Sequence, residues 1–230
     1  MFGPLPLVLA LSTTALTPAP REAADGVRRA EAAHRLAEAA ARFEAGDFAG
    51  EYLRTTRTQV LSLSGVVLGE EVETVRVRMR DRWQTIELVR AVEGGKDVTE
   101  ERKRTFSPVP AGAEPDVPSP LSPKGTGLSF SPLPLPKGQC GASFAPVPKG
   151  AAGSEGRLAW DCATLTPLWA ELTPSDAPTE LSEPRVRLEF ARAGELLYAR
   201  RYTLEGLAAD GPKTVRMRLV LEISDLKPAG

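Results

Sequence analysis

Alternation of apolar and charged side chains constrains this chain more than any other feature. In TVRMRLVLEI, residues 214–223, Val215, Met217, Leu219, Leu221 and Ile223 share one parity; Arg216, Arg218 and Glu222 share the other, with Val220 as the exception. TVRVRMRD (74–81) sets Val75, Val77 and Met79 against Arg76, Arg78 and Arg80. RVRLEF (185–190) sets Val186, Leu188 and Phe190 against Arg185, Arg187 and Glu189. A period of two is that of a β-strand with one greasy and one wet face. Every such strand needs a cover for its greasy face, from its own chain or from outside. The likeness of 74–80 to 214–220 reflects this shared constraint and not a duplication.

The same period predicts strands at 51–63, 71–81, 83–93, 156–162, 167–172, 184–191, 196–206 and 214–223. Gly65, Gly69, Gly94-Gly95, Ala193-Gly194-Glu195 and Ala209-Asp210-Gly211-Pro212 fall between them as turns. Short connections imply an antiparallel meander. Only residues 22–46 read as a long helix, rich in Ala, Glu and Arg. Asp25 is its expected cap and Gly46 its end, with a narrow stripe of Val27, Ala30, Ala33, Leu36, Ala40 and Phe43. A short helix is expected at 98–104, with Asp97 and Glu100 at capping-box spacing.

Residues 106–150 hold eleven prolines. Proline cannot donate to a ladder, so this insertion is expected to be irregular and polyproline-like in places. Phe130, Leu133, Leu135, Phe144 and Val147 make 128–148 too apolar for a linker, and it is expected to pack across the domain. The 111–127 part is expected to be more mobile. The resulting fold class is α+β: a curved antiparallel sheet, an open or half β-barrel, wrapped over one long N-terminal helix. Residues 21–230 form a single domain in this reading.

The opening MFGPLPLVLALSTTALTPAP carries the apolar run Leu5–Leu11 before small residues. Residues 1–20 read as a secretory signal peptide, with cleavage after Ala15; an apolar tail is the alternative. No other stretch approaches the length of a membrane-spanning helix. A net charge of −1 leaves no field to draw nucleic acid. Export to a periplasmic or secreted location would pair Cys140 with Cys162; two separate buried thiols are the alternative.

Catalytic and metal chemistry find no support. The one histidine, His34, lies in the helix without a nucleophile or triad pattern near it and reads as a partly exposed helix residue. Two cysteines and a distant histidine make no zinc site. Glu100 and Glu101 read as a solvated helical face. The strand arginines, which include Arg216 and Arg218, could meet phosphates; pairing with Glu71, Glu73, Glu189 and Glu222 is the simpler account. Trp83, Trp160 and Trp169 are core residues or the lining of a ligand cavity.

GRLAWDCATLTPLWAEL (156–172) is similar to the strand–Asp–turn–strand step of periplasmic lipoprotein carriers of the LolA/LolB type. RVRLEFARAGELLYARRYTLEG (185–206) is similar to a later hairpin of that family. The proline-rich insertion departs from the pattern. The resemblance implies an open barrel over helices, a hydrophobic space for acyl chains, and no catalysis. An alanine-lined helix is also slim for the hollow of a bent sheet. The expectation is therefore an exported, non-catalytic envelope protein needing no cofactor, which binds acyl chains or an apolar peptide between sheet and helix. Its partners would be a lipid or lipoprotein acyl chain and an envelope protein. The expected lining is Val75, Val77, Met79, Trp160, Val186, Leu188, Phe190, Val215, Met217, Leu219 and Leu221. The alternative is an interaction scaffold with a filled core that uses a sheet edge or the Pro-rich segment.

Overall fold

The computed structural model describes residues 20–41, 49–80, 83–106, 121, 127–149, 153–174 and 180–229. Helix α1 (Pro20–Ala41) leads into β1 (Gly50–Leu61), β2 (Val67–Arg80), β3 (Trp83–Glu93), β4 (Lys96–Asp97) and the short helix α2 (Thr99–Thr105). There follow β5 (Leu128–Pro132), β6 (Gln139–Pro146), β7 (Glu155–Asp161), β8 (Pro167–Thr173), β9 (Ser182–Ala193), β10 (Leu196–Asp210) and β11 (Lys213–Pro228). The expected signal segment and most of the 111–127 stretch lie outside the described residues, as do Phe43 and Gly46.

The strands form one sheet of eleven, ordered β4-β3-β2-β1-β11-β10-β9-β8-β7-β6-β5. Every pairing is antiparallel. Two meanders, β1–β4 and β5–β11, join where the first strand meets the last, Thr58 opposite Leu219. The sheet stays open, with β4 and β5 at its edges. This is the expected fold class, with strand bounds close to those read from the alternation. Tight turns enforce the meander: Gly211 takes a φ of 58° between β10 and β11, a value an L side chain adopts only with strain.

The helix departs from its expected register. It begins at Pro20, so Asp25 lies inside it and caps nothing; a proline in the first turn lacks only an N–H that has no helical partner anyway. The buried face is Ala30, Ala33, His34, Ala37 and Ala40, while Val27 and Leu36 are 37% and 39% exposed. The stripe is rotated from the expected one and has even less bulk. His34 is buried and not partly exposed. At α2, Asp97 accepts from the Thr99 N–H at 2.9 Å, and Val98, not Asp97, stands at the helix N-cap.

The proline-rich segment is also more regular than expected. Its 128–148 part folds as the β5–β6 hairpin, where prolines fall at strand ends, as Pro132 and Pro146, or in the connection. Leu121, in the stretch expected to be mobile, is 2% exposed and belongs to the main core.

Two cores result. Under α1, its four buried alanines meet Leu121, Phe144, Leu158, Trp160, Leu172, Val186, Leu188 and Phe190. A second cluster joins Tyr52, Val75, Val77, Met79, Leu88, Ala91, Tyr198 and Ile223. Geometry explains the division. Eleven strands about 4.8 Å apart span roughly 50 Å, and a 22-residue helix is about 33 Å long and about 10 Å wide. One helix cannot cover such a sheet.

Candidate functional site: an apolar trough beside the helix

The inner face changes character across the sheet. One cross-strand row runs Phe130, Phe144, Gly156, Leu172, Val186, Leu204, Leu219, Thr58, Glu71, Glu93. The next runs Pro132, Ala142, Leu158, Ala170, Leu188, Tyr202, Leu221, Thr56, Glu73, Ala91. Helix α1 lies against β5, β8, β9 and β10. There Leu158, Leu172, Val186 and Leu188 are buried. At β11 the cover thins, and Met217, Leu219 and Leu221 are only partly buried, Leu221 against the second cluster, although Val215 and Ile223 at either end are buried. Tyr202 and Leu204 form the half-buried helix-side wall. Burial raises the Tyr202 phenol pKa, so its hydroxyl keeps its proton. Beyond β11 the row turns to threonine and then glutamate. The result is a partly covered aliphatic strip with a polar far bank, termed the trough.

A separate cleft of about 270 Å³ opens at the far end of the sheet. Gly26, Val27, Arg29 and Ala30 of α1 face Phe130–Leu133, Gln139–Ala142 and Trp160 across it. The Cys140–Cys162 disulfide, with Cα atoms 5.1 Å apart, ties β6 to the β7–β8 turn there. The Arg29 guanidinium donates to the Cys162 carbonyl and pins the helix to that turn. Asp161 shapes the same turn, accepting from the Ala163 and Thr164 N–H groups and the Thr164 hydroxyl. These bonds, to Thr164 above all, hold its carboxyl below the usual range.

The expected lining residues do not converge on one cavity. Trp160 alone reaches the cleft. Val186, Leu188 and Phe190 pack beneath α1, and Val75, Val77 and Met79 lie in the second cluster. Met217, Leu219 and Leu221 floor the trough. Outside the cleft at its N-terminal half, the helix packs directly on the sheet through Ala33, Ala37 and Ala40. Gly156 shows how tight the sheet itself is: a Cβ there would stand 2.2 Å from the Glu171 carbonyl oxygen.

Polar groups elsewhere are engaged structurally. The imidazole of His34 packs edge-on to Phe144 and Phe130, at centroid distances of 5.0 and 5.7 Å. Its buried Nε2 has no partner. Burial pushes its pKa down, opposed by the charge of Glu38. The outer face carries a broad shallow depression of about 800 Å³ whose charges pair across strands. Arg157 and Arg187 both bond Glu171, and Arg187 lies 5.6 Å from the Trp169 ring centre. Arg76 and Arg78 share Glu51 and Glu87, and Arg218 bonds Glu205 at 2.5 Å. Cross-strand pairing is thus the rule, through partners other than the expected Glu73. Glu100 bonds Lys103 at 3.0 Å. Among the described residues no group of three or more His, Cys, Asp or Glu is placed to hold a metal. Among them no helix is long and apolar enough to cross a membrane.

No family model matches the sequence, and no curated protein matches it. The chain is similar to several solved structures. A LolA superfamily protein from Nitrosomonas europaea matches 87% of this chain and 94% of its own, with 11% identity and a TM-score of 0.39. A domain from Vibrio parahaemolyticus described as an outer membrane lipoprotein-sorting protein matches over 86% and 93%, with 11% identity and a TM-score of 0.39. A DUF1329 family protein from Desulfovibrio piger matches over 87% and 93%, with 10% identity and a TM-score of 0.41. At these identities and TM-scores the likeness extends to no property of the site.

Proposed function

We propose that this chain is an exported, non-catalytic envelope protein that binds an acyl chain or an apolar peptide on the β11 side of α1. The observation that carries this reading is the partial exposure of Met217, Leu219 and Leu221 in the middle of a strand whose Val215 and Ile223 are buried. An aliphatic row left open on an inner face is an unfinished interface. A chain laid along it would bury the row's remaining exposed surface, with Thr56 and Thr58 beside any polar group it carries. The disulfide and the N-terminal apolar run support an oxidising compartment outside the cytoplasm. Val186, Leu188 and Phe190 would touch a ligand only if α1 shifted, whereas Val75, Val77 and Met79 belong to the second cluster and Val215 closes one end of the row.

The test is mass spectrometry of gently purified protein, followed by titration with a fluorescent fatty acid. Co-purifying lipid and saturable uptake, both abolished by Leu219→Asp, are expected. An empty protein that takes up no probe rejects the proposal.

The alternative use of the Pro-rich segment as a docking edge is disfavoured at β5. The Val147 N–H bonds the Gly127 carbonyl and the Leu133 N–H bonds the Gly141 carbonyl, so odd-numbered residues of β5 face β6. Even-numbered ones face the open edge, where Pro132 and Pro134 have no N–H to offer.

A further inference from the structure

The tip of the β1–β2 hairpin has a character the trough does not explain. From Leu61 to Gly69 the sequence is LSLSGVVLG, nine residues without a charge. Leu63, Val66, Val67 and Leu68 are 58%, 61%, 50% and 61% exposed. Four large aliphatics bare on one convex tip far exceed the isolated exposed leucine common on soluble surfaces. The tip also meets part of its own polar needs. The Ser62 N–H bonds the Val66 carbonyl, the Gly65 N–H bonds the Ser62 carbonyl, and the Val66 N–H bonds the Ser62 hydroxyl. The hydroxyls of Ser62 and Ser64 bond each other at 2.8 Å. A tip with these groups already bonded can leave water with little loss of hydrogen bonding.

Its charged collar has a sign. Leu61 stands opposite Arg216, so the neighbouring β10–β11 turn, with Lys213, reaches the same height. Neither Arg216 nor Lys213 has an ion-pair partner among the described residues, whereas Glu70 is neutralised by Arg57 at 3.0 Å; Asp210, opposite Lys213 in the turn, offsets one of the two cations and leaves the collar net positive. The register also places Val60 opposite Met217, flanked by Gly69 and Gly206. The apolar tip therefore runs on without a break into the trough.

We propose that this tip is a membrane-docking element, which seats its four aliphatic side chains in the interface of an anionic bilayer with Arg216 and Lys213 at the headgroups. A flat protein partner would meet a flat patch; a narrow, self-bonded, uncharged wedge with a cationic collar fits the lipid interface. Docking this way would point the open end of the trough at the lipid.

The test is flotation of the full chain with vesicles of phosphatidylcholine alone and with phosphatidylglycerol added. Binding is expected to the anionic vesicles, and Leu63→Asp with Leu68→Asp should weaken it about tenfold or more. Arg216→Gln with Lys213→Gln should remove the preference for anionic lipid. Because loop variants can disturb folding, Val66→Trp supplies a second readout: its added emission should shift blue on vesicles and be quenched by brominated acyl chains. A folded wild type that floats with neither vesicle, or a Val66→Trp spectrum unchanged by lipid, overturns the proposal. Uptake of a soluble fatty-acid probe is measured without vesicles, so the two readings can fail separately.

Discussion

Leucine substitution on α1 separates the observed helix register from the one its sequence suggests. Ala37 is fully buried against the sheet, and Leu36, one residue earlier, is 39% exposed. Ala37→Leu would push three extra carbons and a branch into a contact whose closeness depends on alanine. Overpacking of this kind costs about 1–3 kcal/mol as neighbours are forced off their rotamers. Leu36→Ala removes a side chain already largely in water, and exchange of one good helix former for another should stay within about 0.5 kcal/mol. Urea unfolding followed by circular dichroism, on both variants at equal slope, reads the difference. A Leu36→Ala loss larger than the Ala37→Leu loss would mean that the helix is rotated about its axis and that Ala37 does not pack on the sheet.

Reduction of the Cys140–Cys162 bridge, or Cys140→Ala with Cys162→Ala, should destabilise the fold by about 3 kcal/mol, given the 22-residue separation, read as a lower urea midpoint. For His34, burial holds the pKa in the folded state below the ordinary imidazole value of about 6.5. Its neutral form is thus favoured by folding, and stability present above about pH 6.5 is lost as pH falls below that value. His34→Leu should flatten the urea midpoint between pH 7 and pH 5, a window above that of the depressed carboxyls Asp97 and Asp161; an equal slope in the variant assigns the effect elsewhere. Gly156→Ala, which sets a Cβ against the β8 backbone, should cost at least about 1–3 kcal/mol, seen as a fall in thermal midpoint or in soluble yield.

The sheet was legible because alternation is local: each strand announces its own two faces, and glycines mark the turns. The helix register was not, because alanine occurs on every side of α1 and contrast between faces is weak. Val27 and Leu36 look like core residues in isolation, yet close approach to the sheet favours the smaller side chains. Val220 misled in the opposite sense. It sits on the outer face between Thr203 and Arg57, yet it is 5% exposed. Arg218 and Glu222 flank it along β11, and the stems of such long side chains can screen a small apolar residue from water. Leu121 had no periodic signal, standing among prolines and serines whose only cue is composition. The trough itself could not be read locally either. It exists because β1 and β11, far apart in sequence, pair at the line where the helix stops covering the sheet.

That line gives the molecule its polarity. On the β5–β10 side the inner face is closed by alanine, phenylalanine and the disulfide-anchored turn. On the β1–β3 side it closes on itself through Tyr52, Val75, Val77 and Met79. Between them the middle of β11 is only partly buried, and its row leads at one end to the uncharged hairpin tip. If the row were only a packing defect, filling it should stabilise the protein; if it is a binding surface, filling it should stabilise the protein and abolish uptake. Thr58→Leu tests this, since residue 58 lies opposite Leu219 on the same face. A more stable variant with undiminished fatty-acid uptake would remove the trough from any account of ligand binding.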